Sequence, residues 1–369
     1  MYRQLVLGIF LFWTYTLSAQ KDKFSGQLFS ADILMGYNLA RIQSDYLLEE
    51  KMPYSFQINW QHSNYDTPEK LGFFGYSDFG AGFLYHDFRD NSLGKNYAIV
   101  GFMEYYLWKP THRLQLSFRL SYGIAYNTKP YHKTTNSKNK LFGSHILFPL
   151  DFVLYLKYPR IYRHWGIQAG FGIFHYSNAN LQSPNYGANM PTLTLGINYD
   201  YRNKPVEMQK KFPAFNKKWQ YLAFLRFGIN ESDYYDSGIF PFFIPGFQME
   251  KHLNFRHKIN LGAELFLSYF LREQIRYEYY AMPEFHVDKI ADFKRFGVYG
   301  GHEFFYQKIG IVTTMGYYVY YPYKFESRFY NRLALNLYLS KHLKTMLGLK
   351  FHYFSRAEAL EIGVMYKFN

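Results

Sequence analysis

A histidine, a serine and two asparagines lie close together near the middle of the chain. His175 and Ser177 are separated by one residue, Asn178 follows the serine, and Asn189 comes fourteen residues after the histidine. In nucleophilic catalysis a hydroxyl needs an adjacent base, and the base needs a third group that orients its ring. Ser177 could therefore attack an ester, His175 could carry the proton, and Asn189 could hold the imidazole. Asn178 could donate its side-chain amide or its backbone N–H to the oxyanion.

The residues that precede this serine alternate between two faces, which is typical of a β-strand. One face carries Gln168 and three glycines, and the other is apolar and continues into His175 and Ser177. In a membrane barrel the apolar face contacts lipid, so His175 and Ser177 would lie about 7 Å apart on the lipid side. Polar groups on such a surface are costly, which favours a functional reason for the cluster. The alternative is that both residues are merely solvated near the end of the strand.

The first twenty residues predict export from the cytoplasm. The segment MYRQLVLGIFLFWTYTLSAQ has a basic residue at Arg3, an apolar stretch at 5–13 that is too short to span a bilayer, and an expected cleavage site after Ala19. The formal net charge of +14 would suit nucleic acid, an anionic membrane surface or an acidic lipid headgroup. Export argues against nucleic acid. The chain has no cysteine, which excludes disulfide scaffolds, zinc ribbons, iron–sulfur clusters and cysteine nucleophiles.

Alternation with period two continues through most of the chain and predicts an all-β fold. Aromatic residues make up 22% of the sequence and crowd the ends of the expected strands. Polar side chains occur where a soluble protein would have its packed core. Together with the export signal, these features predict a transmembrane antiparallel β-barrel. A secreted β-sandwich is the alternative.

The chain divides into two halves with similar segments. About eight strands are expected before residue 205, the third of them near 73–87, and about eight more after 218. We predict a signal peptide at 1–19, an eight-strand unit at 20–202, a polar basic linker at 203–218 and a second related eight-strand unit at 219–369. The units could form one barrel of about 16 strands or two tandem 8-stranded barrels. We expect the single barrel, because open strand edges in lipid are costly.

The segment HYSNANLQSPNYGANMP at 175–191 resembles the signature of the outer-membrane lipid A 3-O-deacylases, also called acyloxyacyl hydrolases. Members of that family are eight-stranded barrels with a His-x-Ser-Asn motif on the lipid-facing side. His175, Ser177 and Asn178 match that motif, and the loop after it matches at Leu181, Pro184, Asn185 and Gly187. The resemblance implies an integral protein of the outer membrane of a Gram-negative bacterium. It also implies a serine esterase that removes an ester-linked acyl chain from the lipid A of lipopolysaccharide in the outer leaflet, without a metal or other cofactor.

One position departs from the family pattern. Asn189 stands where the best-known deacylases have the glutamate of their triad, and an amide cannot offset the imidazolium charge as a carboxylate does. The order His-x-Ser…Asn is similar to the triad of outer-membrane phospholipase A. That resemblance implies phospholipid substrates, calcium dependence and a homodimer. The chain could also be a deacylase of reduced activity, or a non-catalytic structural or transport barrel.

The second unit does not repeat the cluster. His352 and Ser355 are three residues apart, so they would point to opposite faces of a strand. His352 shares its face with Gly348 and Lys350, which predicts an interior position. We therefore expect a structural role for this unit, or a surface that contacts lipid or a partner.

Overall fold

The computed structural model describes residues 25–36, 52–206, 214–234, 237–353 and 356–368. The predicted signal peptide, the middle of the predicted linker and Ser355 lie outside these residues. The strands of the first half are β1 (Gln27–Gly36), β2 (Tyr54–Ser63), β3 (Ser77–Asp87), β4 (Lys95–Tyr106), β5 (Gln115–Asn127), β6 (Ile146–Tyr162), β7 (Trp165–Ser177) and β8 (Ala188–Asp200). The strands of the second half are β9 (Gln220–Glu231), β10 (Ile239–His252), β11 (His257–Ser268), β12 (Arg295–Tyr306), β13 (Ile309–Tyr320), β14 (Phe329–Tyr338), β15 (Leu343–His352) and β16 (Arg356–Lys367).

Each half of the chain closes into its own antiparallel barrel. In the first barrel β1 pairs with β2 on one side and with β8 on the other. In the second barrel β9 pairs with β10 and with β16. The all-β barrel prediction is confirmed, but the expectation of one large barrel is wrong. Eight strands are enough to join the first strand of each half to the last, so neither barrel has an edge left for the other to pair with.

The sixteen strands place apolar side chains outside and polar side chains inside. Along β7 the residues Trp165, Phe171 and Ile173 are exposed, while Gln168 and Phe174 point inward and are buried. The exposed residues of the other strands are likewise mostly Ile, Leu, Val, Phe and Tyr. An apolar band of this kind is what the hydrocarbon region of a bilayer requires.

Side chains fill the interior of the first barrel. The buried Glu104 carboxylate pairs with Arg119 at 2.9 Å and with Lys157 at 2.6 Å. Arg202 pairs with Asp78 and Asp200, each at 3.0 Å. Buried charges need such partners, and an eight-stranded barrel is just wide enough to hold them. The interior is therefore a packed ionic core.

Two short helices were not predicted from the sequence. Helix α1 (Pro68–Phe74) begins after Thr67, whose side chain accepts a hydrogen bond from the Lys70 N–H, so the third strand starts at Ser77 and not near 73. Helix α2 (Tyr269–Ala281) follows β11, and a short 3-10 helix at Pro283–Phe285 comes after it. In the described residues no helix has the length and apolar character needed to cross a membrane.

The interior position predicted for His352 is confirmed. Its side chain is buried, and its Nε2 lies 2.6 Å from Glu358 Oε2. Lys350 contacts the same carboxylate from the same face of β15 at 2.6 Å. His352 is thus part of the ionic core of the second barrel.

Candidate active site

The pairing of β7 with β8 brings His175 next to Asn189. The two residues are direct partners in the antiparallel register, although fourteen positions separate them in the chain. Directly opposed residues have their Cβ atoms within about 5.5 Å, so their side chains can meet on one face. That face is the exterior, because the exposed side chains of Phe171 and Ile173 precede His175 on it. The predicted lipid-side position of His175 and Asn189 follows from this register.

A hydrogen bond fixes the orientation of the His175 ring. Its Nδ1 lies 2.7 Å from Asn189 Oδ1. An amide oxygen can only accept, so Nδ1 must donate and carry the ring proton. In a neutral imidazole the lone pair is then on Nε2. This is the tautomer in which a histidine can take a proton from a hydroxyl.

Ser177 is the last residue of β7 and lies on the same face as His175. Ser177 is only 9% exposed, and Gly187 of the loop that follows, residues 178–187, packs against it. In the described residues its hydroxyl has no hydrogen-bond partner, and no hydrogen bond joins it to His175. Bonds between nucleophile and base are often loose in unliganded enzymes and tighten when substrate binds. Histidine and serine therefore share a face, with the hydroxyl unpaired.

Asn178 is fully buried in the 178–187 loop. Its backbone N–H donates to Asn185 Oδ1 at 2.8 Å, and its side-chain amide donates to the Gln182 carbonyl at 2.6 Å. Both donors that could serve an oxyanion thus hold the loop in its present shape. The amide nitrogen carries a second N–H, but Asn178 is fully buried, so an oxyanion role requires the loop to open. No sequence pattern indicates that Asn185 is the acceptor, since this contact depends on how the loop folds.

Gly187 packs against both His175 and Ser177. A Cβ added at this residue would lie 3.1 Å from His175 Cε1, 3.6 Å from Ser177 Cβ and 2.9 Å from the Tyr176 carbonyl. Its φ of +69° is in the left-handed region that favours glycine. Gly187 therefore packs directly against the reacting groups. The resemblance identified four residues that all lie in this loop: Leu181, Pro184, Asn185 and Gly187.

The contacts at Gly187 lead to a prediction for Gly187→Ala. The added methyl group should push the His175 ring away from Ser177, and we expect kcat for ester hydrolysis to fall about 100-fold, since small misplacements of reacting groups have effects of that order. Steady-state kinetics of the refolded protein in detergent would measure this. Gly238→Ala is the matched control, because its φ is also positive and a Cβ there meets only the Phe240 ring at 3.7 Å. Equal kcat in the two variants would contradict the prediction.

An apolar surface adjoins the site on the β6 side. Leu150 is the register partner of His175, and apolar register pairs continue away from it along the same two strands. The residues of these pairs are between 44% and 63% exposed: Phe152 with Ile173, and Leu154 with Phe171. Such a surface suits an acyl chain that lies along the barrel wall.

A cavity of about 530 Å³ adjoins the site loop. Its lining includes Lys129, His132, Asn136 and Gln182. Gln182 connects the cavity to the site, because its carbonyl accepts the hydrogen bond from Asn178. Basic and hydrogen-bonding groups of this kind suit the head of a lipid better than its tail. In the described part of the chain no three His, Asp or Glu side chains converge in a way that could hold a metal ion.

Two family models match the chain. The model described as lipid A 3-O-deacylase (PagL) matches residues 51–198, and the model described as acyloxyacyl hydrolase, C-terminal domain, matches residues 219–369. The chain belongs to the acyloxyacyl hydrolase (lipid A 3-O-deacylase) family. The resemblance noted at residues 175–191 is thereby confirmed, and the second barrel corresponds to a domain recognised in the same family. Family membership makes the chain a hydrolase of ester bonds. Its closed barrels with apolar exteriors agree with a place in the outer membrane.

Solved structures resemble the chain only distantly. The crystal structure of the outer membrane enzyme PagL is 17% identical, covers 48% of this chain and 99% of its own, and gives a TM-score of 0.31. The outer membrane protein Omp33 of Acinetobacter baumannii is 8% identical, covers 92% of this chain and 97% of its own, and gives a TM-score of 0.19. No curated protein sequence matches.

Proposed function

We propose that this protein hydrolyses an ester-linked acyl chain of lipid A, at the 3-O position, with Ser177, His175 and Asn189 as its triad. The substrate would be lipopolysaccharide in the outer leaflet of the bacterial outer membrane, and no metal or other cofactor would take part. The observation that carries the proposal is the 2.7 Å contact between His175 Nδ1 and Asn189 Oδ1 on the lipid-facing wall. This contact leaves Nε2 to act as the base for the hydroxyl of Ser177, which lies two residues further along the same face of β7.

The proposed reaction proceeds through an acyl-enzyme. Ser177 Oγ attacks the ester carbonyl while His175 Nε2 takes its proton, and a tetrahedral intermediate forms. The intermediate collapses when Nε2–H returns the proton to the departing sugar oxygen, and the acyl chain stays on Ser177. Water, deprotonated by the same Nε2, then attacks the acyl carbonyl, and the fatty acid is released as Nε2–H returns the proton to Ser177 Oγ. Asn189 keeps the ring oriented throughout, and Asn178 would donate to the oxyanion once the loop opens.

The surroundings of the site agree with a membrane lipid as substrate. The acyl chain would lie on the apolar surface of β6 and β7, where the register pairs beside His175 are exposed. The saccharide head would lie above the membrane near the cavity lined by Lys129 and Gln182. The ester between head and chain would then be at the level of His175 and Ser177.

The decisive experiment is mass spectrometry of lipid A after incubation with the refolded protein in detergent. Loss of one hydroxyacyl chain, together with its absence for Ser177→Ala, would support the proposal. Intact lipid A in both samples would contradict it. A parallel sample with phospholipid, with and without calcium, covers the second candidate function.

That second candidate is an enzyme of the outer-membrane phospholipase A type. The specific observation in its favour is that an asparagine and not a glutamate accepts the hydrogen bond from His175. Lysophospholipid produced only when calcium is present would establish this activity. The site loop matches the deacylase signature at Pro184, Asn185 and Gly187, which favours lipid A.

Two substitutions at Asn189 should distinguish its role in orienting the His175 ring from the effect of a negative charge at the same position. Asn189→Ala removes the acceptor and lets the imidazole turn or change tautomer, so we expect kcat to fall about 10- to 100-fold. Asn189→Asp keeps an acceptor of the same shape and adds a charge that stabilises the imidazolium, so its kcat should be at least that of the wild type. Initial rates on a short-chain ester would measure both. A wild-type rate for Asn189→Ala would rule out the orienting role.

A further inference from the structure

The second barrel contacts the loop that covers Ser177. Residues 178–187 form a loop at the end of the first barrel, yet Asn180 and Ser183 are at most 9% exposed. Loops normally lie on the surface, because their backbone polar groups need water. Here the second barrel supplies those partners.

Glu231 makes the strongest of these contacts. Its carboxylate Oε2 accepts the backbone N–H of Ser183 at 2.7 Å, and the Ser183 hydroxyl donates to the Ser232 carbonyl at 2.8 Å. Glu231 is 3% exposed and Ser183 is 6% exposed, so water does not compete for this bond. Hydrogen bonds to a charged acceptor are roughly twice as strong as neutral ones. Glu231 thus fixes the loop one residue before Pro184.

A second contact fixes the loop nearer to Ser177. Asn180 Nδ2 donates to the Glu358 carbonyl at 3.4 Å. The Glu358 side chain is itself held inside the second barrel by Arg295 at 2.6 Å, in addition to Lys350 and His352. Asn180 therefore donates to the backbone of Glu358, a residue whose side chain is anchored in the ionic core of the second barrel.

The segment of the second barrel that holds Ser183 is also fixed from its far side. Arg356 pairs with Asp233 at 2.7 Å and with Glu326 at 2.6 Å, so it joins the segment after β9 to the segment before β14. Burial raises the pKa of the Asp233 carboxyl, an effect that the Arg356 guanidinium opposes. The tyrosine that follows donates to Glu278 of helix α2 at 3.1 Å. The residues that hold Ser183 thus belong to a cross-linked end of the barrel.

The two barrels are joined at the other end as well. Phe73 of helix α1 packs edge-on against Phe255 and Tyr306, with ring centroids 5.0 and 4.7 Å apart. Phe74 contacts Tyr306 at 4.5 Å. Aromatic pairs of this geometry contribute about 0.5–1.5 kcal/mol each beyond the area they bury. With contacts at both ends, the second barrel is held in place beside the first.

We infer that the second barrel positions the active-site loop, and that Glu231 is the positioning residue through which it acts. The chain of contacts runs from Glu231 to Ser183 and along the loop to Asn185, which accepts the Asn178 N–H. It ends at Gly187, which packs on the histidine and the serine of the triad. This inference rests on the proposed function and assigns a role in it to the second barrel. Glu231 touches no reacting atom and acts only through the loop.

The test compares Glu231→Ala and Glu231→Gln in the full chain. The alanine variant loses the acceptor for the Ser183 N–H, so we expect faster deuterium exchange in residues 178–187 and kcat lowered on the order of 10-fold, with KM nearly unchanged. The glutamine variant keeps an acceptor oxygen, so its exchange rate in residues 178–187 and its kcat should both be close to those of the wild type. Glu284→Ala is the matched control, because Glu284 is an exposed glutamate of the second barrel. It should behave as the wild type.

The measurements of hydrolysis and of deuterium exchange distinguish a failure of the proposed function from a failure of the positioning role. If wild-type protein hydrolyses no lipid, the proposed function fails, but exchange in residues 178–187 still shows whether Glu231 holds the loop. If the wild type is active and Glu231→Ala leaves both exchange and kcat unchanged, the positioning role is overturned. A lower melting temperature with unchanged kcat would also overturn it, because Glu231 would then serve stability alone.

Discussion

Ser177→Ala should abolish ester hydrolysis while leaving the barrel intact. Removing the hydroxyl removes the atom that forms the acyl-enzyme, and losses at such nucleophiles reach about 10⁴- to 10⁶-fold in kcat. The stability of the fold should be unaffected, because in the described residues the Ser177 hydroxyl has no hydrogen-bond partner to lose. The measurement is fatty acid release from lipid A by mass spectrometry, combined with heat-modifiable gel migration as a test of folding.

Ser340→Ala is the appropriate control for this variant. Ser340 is an exposed serine of the second barrel, where its hydroxyl accepts the backbone N–H groups of His342 and Leu343. Removing this hydroxyl affects only a turn of the second barrel, which is far along the chain from the site loop. Hydrolysis by Ser177→Ala at even one tenth of the wild-type rate would show that another residue is the nucleophile, and the triad would have to be abandoned.

The interior of the barrels argues against the transport alternative. The ion pairs of Glu104 with Arg119 and Lys157 fill the first barrel. In the second barrel Arg332 pairs with two buried carboxylates, at 2.6 Å and 3.2 Å: Glu361 and Glu264. Water-filled channels occur in barrels with many more strands, where side chains no longer reach across the lumen. The function of this chain is therefore expected on the outer wall and at the barrel ends.

The face of the site residues could be predicted from the sequence because it depends on local periodicity. Period-two alternation along 165–177 places His175 on the apolar face, and the same phase places Asn189 on the apolar face of the next strand. The loop between these strands, residues 178–187, is ten residues long, so periodicity leaves the exact register open. The direct pairing of His175 with Asn189 is seen only in the structure.

The number of barrels could not be predicted in the same way. Closure depends on whether β1 pairs with β8 or with a strand of the other half, and these strands are far apart in the chain. Nothing in the composition of an edge strand specifies which distant strand it will join. The cost of open edges, on which we based the expectation of one barrel, is equally well avoided by two closed ones.

Contacts between the two barrels could not be predicted either, because they leave no local pattern in the sequence. Glu231 lies forty-eight residues after Ser183 and is the last residue of an ordinary alternating strand, so its contact with the site loop emerges only from the tertiary structure. The same applies to Asn178, whose two donors are satisfied by Asn185 and Gln182 within a loop of irregular backbone. Sequence patterns identify the chemistry of a side chain more readily than they identify its neighbours.

His175→Gln should lower kcat about as much as Ser177→Ala, by about 10⁴- to 10⁶-fold. Glutamine can still hydrogen-bond to Asn189, but it has no group that accepts a proton from a hydroxyl near neutral pH. Steady-state rates of the two single variants and of the double variant form the measurement. Because the two residues act as one unit, the double variant should be no slower than the slower single variant. Multiplicative losses would mean that histidine and serine act independently, and their assignment as base and nucleophile of one triad would then be excluded.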